Sequence, residues 1–212
     1  MDGPSGSGKS STSRGVATRL GLRYLDTGAQ FRAITWWMMQ HDVDLDNPSA
    51  IAACANEPVL ESGTDPNAPT ITVDGTDVVG PIRSQEVTSA VSAVSAVPEV
   101  RARLLQEQRK IIGDGGIVVE GRDIGSVVAP DAPVKVFLTA EPDARAARRT
   151  AEMAGSTVEA TQQDLIRRDR ADSGRATAPL TMADGAHHID TTPCTLDQVV
   201  DQVVALVQRA EA

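Results

Sequence analysis

Residues 3–10 read Gly3-Pro4-Ser5-Gly6-Ser7-Gly8-Lys9-Ser10, which matches the pattern G-x-x-x-x-G-K-[ST] at every position. Glycines let the backbone wrap closely around an anion, and successive N–H groups at the start of the following helix point at phosphate oxygens. In this pattern Lys9 supplies a positive charge for the β- and γ-phosphates, and the Ser10 hydroxyl can reach Mg²⁺. The stretch therefore predicts a nucleoside triphosphate site. A Gly/Ser-rich linker is the alternative interpretation.

The rest of the chain narrows the class of triphosphate-binding protein. The sequence lacks N-K-x-D, the motif with which GTPases read guanine, and it lacks the L-S-G-G-Q motif of transporter ATPases. The chain is short, and arginines are clustered between residues 145 and 175, away from the loop. A small kinase needs such cations, because it holds a second anion against the γ-phosphate and must neutralise the charge of both.

The length, composition and charge of the chain exclude several classes of fold and of binding partner. A length of 212 residues favours one domain with an insert. A hydrophobic content of 41% and a charged content of 23% exclude a disordered chain. A net charge of -9 and an aromatic content of 2% argue against binding to a nucleic acid polymer. No apolar run is long enough to span a membrane, and Cys54 and Cys194 show no zinc spacing. We therefore expect a cytoplasmic monomer with reduced cysteines and no membrane contact.

Short apolar runs alternate with helical patterns along most of the chain, which predicts an α/β fold with a parallel sheet. The patterns predict strands at residues 23–25, 117–119, 134–138 and 188–190. They predict helices after the phosphate loop, at residues 29–40, around residues 87–94, at residues 98–112, after residue 142 and near the end of the chain. In the last helix, Thr195 and Gln198 have the spacing of a capping box.

The hydrophobic period changes to two between residues 59 and 82. Residues 70–73 and 76–79 read as two strands, and Asp74 and Gly75 between them suit a tight hairpin turn. The sequence therefore predicts an antiparallel insert in an otherwise parallel architecture.

Only Met1 and Asp2 precede the phosphate loop, whereas such a loop normally follows a buried strand. Either the native chain begins earlier or the fold lacks its usual central strand. We expect the first, with roughly five to ten additional, mostly apolar residues, because the neighbouring strands would otherwise have unpaired edges. The intact mass of the protein from its native source tests this expectation.

Five motifs, in order and over nearly the whole chain, resemble the bacterial cytidylate kinase family. They are residues 3–10, 25–29 (Leu-Asp-Thr-Gly-Ala), 82–87 (Ile-Arg-Ser-Gln-Glu-Val), 121–125 (Gly-Arg-Asp-Ile-Gly) and 175–180 (Arg-Ala-Thr-Ala-Pro-Leu). The excess of Arg over Lys suits an actinobacterial member. The resemblance implies a phosphate-loop kinase fold, with a central parallel sheet flanked by helices. It implies one domain with a core at 1–40, 113–140 and 176–212, an antiparallel monophosphate-binding insert at about 41–112 and a helical lid at about 141–175.

The resemblance also implies an activity, which is transfer of the γ-phosphoryl group of Mg-ATP to CMP or dCMP in pyrimidine nucleotide metabolism. ATP would be bound by residues 3–10 together with Ser11 and Arg148, and Mg²⁺ by Ser10. Lys9, Arg122 and Arg175 would be the catalytic residues. Two alternatives stay open, namely a kinase of similar fold acting on a polyol or a shikimate-like acid, and a non-catalytic nucleotide-binding regulator.

The acceptor site carried over by position contains charged and polar side chains from much of the chain. Arg32, Arg122 and Arg175 would hold the acceptor phosphate, Thr27, Ser92, Arg101 and Asp123 would surround the cytosine, and Arg168 and Asp172 would lie near the phosphate or sugar. Arg145, Arg148 and Arg149 fall in the stretch that resembles the lid over the donor phosphates. The chemistry agrees, because a carboxylate accepts from the cytosine amine and a guanidinium donates to the ring acceptors.

Two positions depart from the family pattern. Phe31, also implied to contact the nucleotide, stands where the family commonly has Tyr, so a hydroxyl is lost while packing survives. Glu120 replaces the usual Asp before Gly-Arg-Asp, which keeps the charge on a longer arm.

Structural interpretations remain for several of these residues. Asp26 suits a helix cap, Arg122 and Asp123 suit a turn pair, and the arginines at 145, 148 and 149 suit a solvated helix face. Trp36 and Trp37 are expected to pack, and His187 and His188 are expected at the surface.

Overall fold

The computed structural model describes residues 1–152, 157–175 and 177–210. The chain divides into two compact units: a loop unit, Met1–Leu22 with Val118–Ala212, and a hairpin unit, Arg23–Ile117. The helices are α1 (Lys9–Leu20), α2 (Thr27–Gln40), α3 (Pro48–Cys54), α4 (Gln85–Ala96), α5 (Pro98–Ile112), α6 (Pro142–Glu152), α7 (Val158–Ser173) and α8 (Leu196–Ala210). The strands are β1 (Arg23–Asp26), β2 (Leu60–Ser62), β3 (Ile71–Val73), β4 (Thr76–Asp77), β5 (Ile117–Glu120), β6 (Val136–Thr139) and β7 (His187–Asp190).

Parallel pairing organises the loop unit. β6 pairs with β7 in parallel, with Leu138 opposite Ile189. Asp2 forms a parallel bridge to β6, donating from its N–H to Val136 and accepting from Leu138, both at 2.8 Å. The carbonyl of Met1 accepts from the N–H of Gly121, just after β5. The first two residues therefore lie between the ends of β5 and β6, and the chain passes from there directly into the phosphate loop.

The core of the loop unit lies between this sheet, α1 and α8. It is formed by buried aliphatic side chains of all three elements, namely Val16, Val136, Leu138, Ile189, Val199, Val200, Val203 and Val204. The predicted capping box begins α8: the Thr195 N–H donates to Oε1 of Gln198 at 2.9 Å, and the Gln198 N–H donates to the Thr195 hydroxyl at 3.3 Å.

The hairpin unit contains the predicted antiparallel sheet. β3 pairs with β2 and with β4, both antiparallel. Asp74 and Gly75, between β3 and β4, have positive φ values of 50° and 77°, which is the geometry that a two-residue hairpin turn requires. The side chain of Asp74 accepts from Trp37 Nε1 at 2.8 Å, so this turn is fastened to α2.

Helices α2, α4 and α5 and the antiparallel sheet enclose the core of the hairpin unit. Its largest fully buried side chains come from several elements and include Ile34, Met38, Ile51, Ile82 and Leu104. Trp37 is buried in this core and Trp36 packs against it, so the packing expectation is confirmed for both tryptophans.

The elements differ from the predicted ones in a few places. β6 begins two residues later than predicted and ends at Thr139. The structure adds α3, β2, a short 3₁₀ turn at Pro81–Arg83 and a π-helical turn at Ile124–Val128, none of which was predicted. Cys54 and Cys194 are free thiols, as expected. In the part of the chain that the structure describes, no helix has both the length and the hydropathy that a bilayer crossing needs.

Candidate active site

Glycines shape the phosphate loop at two points of close approach. Gly3 has φ 145°, and a Cβ at this position would lie 2.1 Å from the carbonyl oxygen of Leu138 in β6. Gly6 has φ 78°, and its Cβ would meet the backbone of Arg145 at 3.0 Å. Side chains are therefore excluded at both positions by space and by backbone conformation.

The interior of the loop is held by its own side chains. The Ser7 hydroxyl and Lys9 Nζ both donate to the carbonyl of Pro4, at 2.9 and 2.6 Å. The N-cap of α1 is Gly8, which has no side chain to cap the helix, and the first turn of α1 contains no acidic residue. An anion in the loop would thus meet the positive end of the helix dipole without competition from a carboxylate of that turn.

Glu120, at the end of β5, faces the start of α1. Its Oε2 accepts from the Ser10 hydroxyl at 3.0 Å, and the residue is only 3% exposed. A hydroxyl and a carboxylate are hard oxygen donors of the kind that Mg²⁺ takes together with phosphate oxygens. The residues present therefore fit the magnesium ion that the loop motif predicts.

Arg145 on α6 connects the loop to α7. One of its terminal nitrogens, NH1, donates to the carbonyl of Ser5 at 3.1 Å and to Oδ2 of Asp169 at 2.6 Å. Arg145 is 7% exposed. The alternative that its stretch is a solvated helix face is therefore wrong for this residue, because its guanidinium is buried and paired.

Arg148, one turn further along α6, contacts the segment after β7. Its two terminal nitrogens donate to the Thr191 hydroxyl and carbonyl at 2.9 and 2.8 Å. The single hydrogen of the Thr191 hydroxyl is shared between the carbonyls of Ser7 at 3.1 Å and Thr139 at 3.0 Å. Next to Thr191, hydrogen bonds from the hydroxyl and N–H of Thr192 lower the pKa of Asp190. Arg148 is thus linked to the phosphate loop through a single side chain.

Asp172, near the end of α7, brings two arginines together. Its Oδ2 accepts from Arg122 Nε at 2.9 Å, and its Oδ1 lies 3.9 Å from Arg175 NH1. Asp172 is 7% exposed and the Arg122 side chain is 20% exposed, so this is a partly buried cluster of two cations and one anion. Arg175 also donates to the carbonyl of Ala178 at 3.2 Å. Arg168, half-buried on the same helix, belongs to the same unit. Residue 176 of the motif 175–180 lies outside the described residues.

Asp123 lies between β5 and the π-helical turn Ile124–Val128. It is 6% exposed, and its carbonyl accepts from the N–H groups of Val127 and Val128 at 2.9 and 3.2 Å. This residue is therefore held by its backbone at the start of the turn.

In the hairpin unit, the first two turns of α2 carry the predicted residues Thr27 and Arg32. Asp26 caps the helix by accepting from the Ala29 N–H at 2.9 Å, so the cap interpretation of Asp26 is confirmed. Its other oxygen accepts from Arg32 NH2 at 2.9 Å. Thr27, the first residue of α2, is buried. The cap thus also orients the guanidinium of Arg32.

Phe31 and Arg101 meet in the same unit. The Cζ atom of Arg101 lies 5.4 Å from the centroid of the Phe31 ring, within the range of a cation–π contact. Arg101 NH1 also donates to the carbonyl of Ser95 at 3.1 Å. Ser92 lies on α4 and is half-buried. A guanidinium predicted to read the base is therefore held by an aromatic ring on one side.

The predicted residues fall in both units. The hairpin unit contains Thr27, Phe31, Arg32, Ser92 and Arg101, and the loop unit contains the rest. Residues 153–156 of the predicted lid lie outside the described residues, while α6 and α7 on either side contact each other through Gln162 and Asp143 at 2.8 Å.

Three residues of the loop unit were missed by sequence reasoning. Asp169 and Thr191 hold the two α6 arginines described above, and the carboxylate of Asp2 accepts from two backbone N–H groups. Thr191 directly follows a predicted strand, and Asp2 directly precedes the loop. Polar residues at the ends of parallel strands are a known signal of a ligand site.

Comparison with known proteins gives one consistent family. A family model described as cytidylate kinase matches residues 1–209. The cytidylate kinase of Streptomyces griseus is 64% identical over 210 residues, which cover 98% of this chain and 91% of that protein. That of Streptomyces avermitilis is 61% identical over 214 residues, covering 100% and 93%. That of Nocardia farcinica is 51% identical over 212 residues, covering 98% and 91%. The matches extend over both units and not over the phosphate loop alone.

Proposed function

The chain belongs to the cytidylate kinase family, and we propose that it transfers the γ-phosphoryl group of ATP to CMP or dCMP, giving ADP and CDP or dCDP. One observation carries the proposal: a complete phosphate loop shares its unit with a partly buried cluster of guanidinium groups, Arg122 and Arg175 around Asp172. A kinase requires two such anion sites, one for the donor and one for the acceptor. The family match also confirms the resemblance of the five motifs and favours neither alternative.

The donor site is built from the loop. Residues 3–11 would surround the ATP phosphates, with backbone N–H groups from all of them except Pro4. Lys9 would leave the Pro4 carbonyl to bind the β- and γ-phosphates. Arg148 is suited to the same phosphates, because its partner Thr191 bonds directly to the loop. Bound phosphate would compete with these internal acceptors for the same cationic donors.

Ser10 and Glu120 would hold Mg²⁺ at the start of α1. When bound there, the ion neutralises charge that develops on the β- and γ-phosphate oxygens. The Ser10 hydroxyl already lies 3.0 Å from the carboxylate, so the two protein oxygens are on the same side of the loop.

The acceptor phosphate needs no general base. It is ionised at neutral pH, so one of its oxygens can attack the γ-phosphorus while the β–γ bridging oxygen leaves with ADP. Catalysis then consists of positioning and charge neutralisation by Lys9, Arg122 and Arg175, with Arg32 as a further phosphate ligand. Ion pairs with Asp172 already place the Arg122 and Arg175 guanidinium groups close together, which suits this role.

The cytosine would be read by Asp123 and Arg101, with Thr27 and Ser92 beside it. An ionised Asp123 accepts from the 4-amino group, and Arg101 donates to N3. Arg168 and Asp172 would lie near the phosphate or sugar. The helices α6 and α7 belong to the predicted lid, whose closure would exclude water and so prevent ATP hydrolysis.

A coupled assay of ADP release with CMP, dCMP, UMP, AMP and shikimate tests the proposal. We expect rapid release with CMP or dCMP and much slower release with the others. Rapid release with shikimate alone would establish the metabolite-kinase alternative. ATP binding without release for any acceptor would establish the regulator.

A further inference from the structure

Asp2 is a buried carboxylate that the proposed chemistry does not use. It is 4% exposed, and it directly precedes Gly3 of the phosphate loop. Its backbone is fixed by the bridge to β6, with both hydrogen bonds at 2.8 Å.

The carboxylate of Asp2 binds the backbone that follows Asp123. Oδ1 accepts from the N–H of Ile124 and Oδ2 from the N–H of Gly125, each at 2.8 Å. Both hydrogen bonds are buried and involve an ionised acceptor, and such bonds are stronger than those between neutral groups. One side chain thus satisfies two consecutive amides at the start of the π-helical turn.

These two bonds constrain the conformation of Asp123. Asp123 has φ -141° and ψ 27°, values that belong to neither a helix nor a strand, so regular secondary structure does not hold it. Because the peptide bond is planar, the direction of the Ile124 N–H is set by ψ of Asp123. The carbonyl of Asp123 is in turn held by Val127 and Val128. Asp2 therefore fixes one of the two backbone torsions that set the direction of the Asp123 Cα–Cβ bond.

We propose that Asp2 is a positioning residue for Asp123 and, through it, a determinant of the preference for cytosine over uracil. This inference rests on the proposed function, in which Asp123 reads the 4-amino group of the base. Asp2 also directly precedes the phosphate loop, so one residue connects the loop proposed to bind ATP to the turn proposed to read the acceptor base.

The variant Asp2→Asn tests the contact directly. An amide has one acceptor oxygen, and its NH₂ group faces a backbone N–H that it cannot satisfy. By hydrogen exchange in the full chain, we expect the amides of Ile124 and Gly125 to exchange at least about tenfold faster than in the wild type. The control Ile124→Val trims the neighbouring side chain but leaves both N–H groups bonded, so it should leave these rates nearly unchanged.

Kinetics separate positioning from general damage. In Asp2→Asn we expect the ratio of kcat/KM for CMP to that for UMP to fall about three- to tenfold, while KM for ATP changes less than about twofold. A structural defect of the loop would instead raise KM for ATP and lower kcat/KM for CMP and for UMP by the same factor. That result, or lost amide protection with an unchanged ratio, would overturn the proposal.

A double variant shows whether Asp2 acts through Asp123. If Asp2 acts through Asp123, the double variant Asp2→Asn/Asp123→Asn should have the same CMP:UMP ratio of kcat/KM as Asp123→Asn alone. If Asp2→Asn lowers this ratio in the Asp123→Asn background as much as it does in the wild type, Asp2 acts independently of Asp123. If Asp123→Asn alone leaves the ratio unchanged while CMP is still used, the base contact fails and this inference with it. If the wild type does not use CMP, the proposed function itself fails. Asp2→Ser, smaller and with one acceptor oxygen, replaces Asp2→Asn in every arm if the latter does not fold.

Discussion

The phosphate loop and the arginines of the loop unit are held by contacts of very different range. Ser7 and Lys9 both bind the carbonyl of Pro4, within five residues along the chain. Arg122 reaches Asp172 across 50 residues, and Arg145 reaches Ser5 across 140. The side chains of the loop therefore hold it over a few residues, and Arg145 and Thr191 add hydrogen bonds to it from far along the chain. The arginines are placed by the tertiary fold, so each of them should contribute to stability as well as to the proposed charge neutralisation.

The largest expected effect comes from the local region. Lys9→Ala removes the only side-chain cation of residues 3–10, and kcat should fall by about a hundred- to a thousandfold, as when a preorganised charge donor is lost. The fold should persist, because the loop backbone forms without the ammonium group. Steady-state kinetics and thermal unfolding check both parts. Lys110→Ala, an exposed lysine near the end of α5, is the matched control and should change neither.

A large loss of thermal stability in Lys9→Ala would instead show that the loop depends on this side chain for its structure and not only for its charge.

The long-range region should respond in a different way. Arg122→Ala or Arg175→Ala removes a proposed charge-assisted contact to the acceptor phosphate, worth about 1.5–3 kcal/mol. The value of kcat/KM for CMP should therefore fall by roughly tenfold to over a hundredfold. ATP binding should stay nearly intact. Both variants should also unfold at lower temperature than Lys9→Ala, because they leave the buried Asp172 carboxylate with one partner fewer.

The control for these variants is Arg167→Ala, whose side chain is 60% exposed and pairs with Asp164. Such surface pairs contribute little, so this variant should match the wild type. Wild-type kinetics with CMP in either Arg122→Ala or Arg175→Ala would remove that residue from the acceptor site.

The same difference in range explains what the sequence could predict. The glycine pattern of the loop, the Asp74-Gly75 hairpin turn and the capping box at Thr195 and Gln198 all encode their geometry within a few residues, and all are found in the structure. The partners Asp169 and Asp172 cannot be read in this way, because pairing depends on where α7 packs.

The π-helical turn was not predicted because it depends on long-range contacts, whereas α3 has local signals that were overlooked. The π-helical turn Ile124–Val128 has no periodic pattern of its own and depends on the carboxylate of Asp2, which lies 122 residues earlier. The N-cap of α3, Asn47, accepts from the N–H groups of Ser49 and Ala50, and Pro48 occupies the first turn. These are local start signals that sequence reasoning could have used.

A moderate effect is expected where the base is read. Asp123→Asn replaces an acceptor with a group that can also donate, so kcat/KM for CMP should fall. The fall should correspond to a loss of about 1–3 kcal/mol of transition-state stabilisation. The value of kcat/KM for UMP should fall less or rise, because the 4-carbonyl of uracil can accept a hydrogen bond from the Asn amide. The ratio of kcat/KM for the two nucleotides measures this. An unchanged ratio would return Asp123 to a purely structural role in its turn.

The smallest effect is expected at Phe31, where the hairpin unit offers its own test of local against long-range placement. The ring lies 5.4 Å from Arg101 Cζ, and a contact of this kind at a partly exposed site is worth about 0.5–1 kcal/mol. Phe31→Leu keeps an apolar side chain but removes the aromatic face, so Arg101 should be less well oriented. The CMP:UMP ratio should then fall by about two- to fivefold. Phe31→Tyr keeps the ring and should retain the wild-type ratio. In an Arg101→Met background, Phe31→Leu should cause no further change in the ratio. If it lowered the use of CMP and UMP equally, with or without Arg101, the ring would serve packing alone, and base selection in this unit would not depend on it.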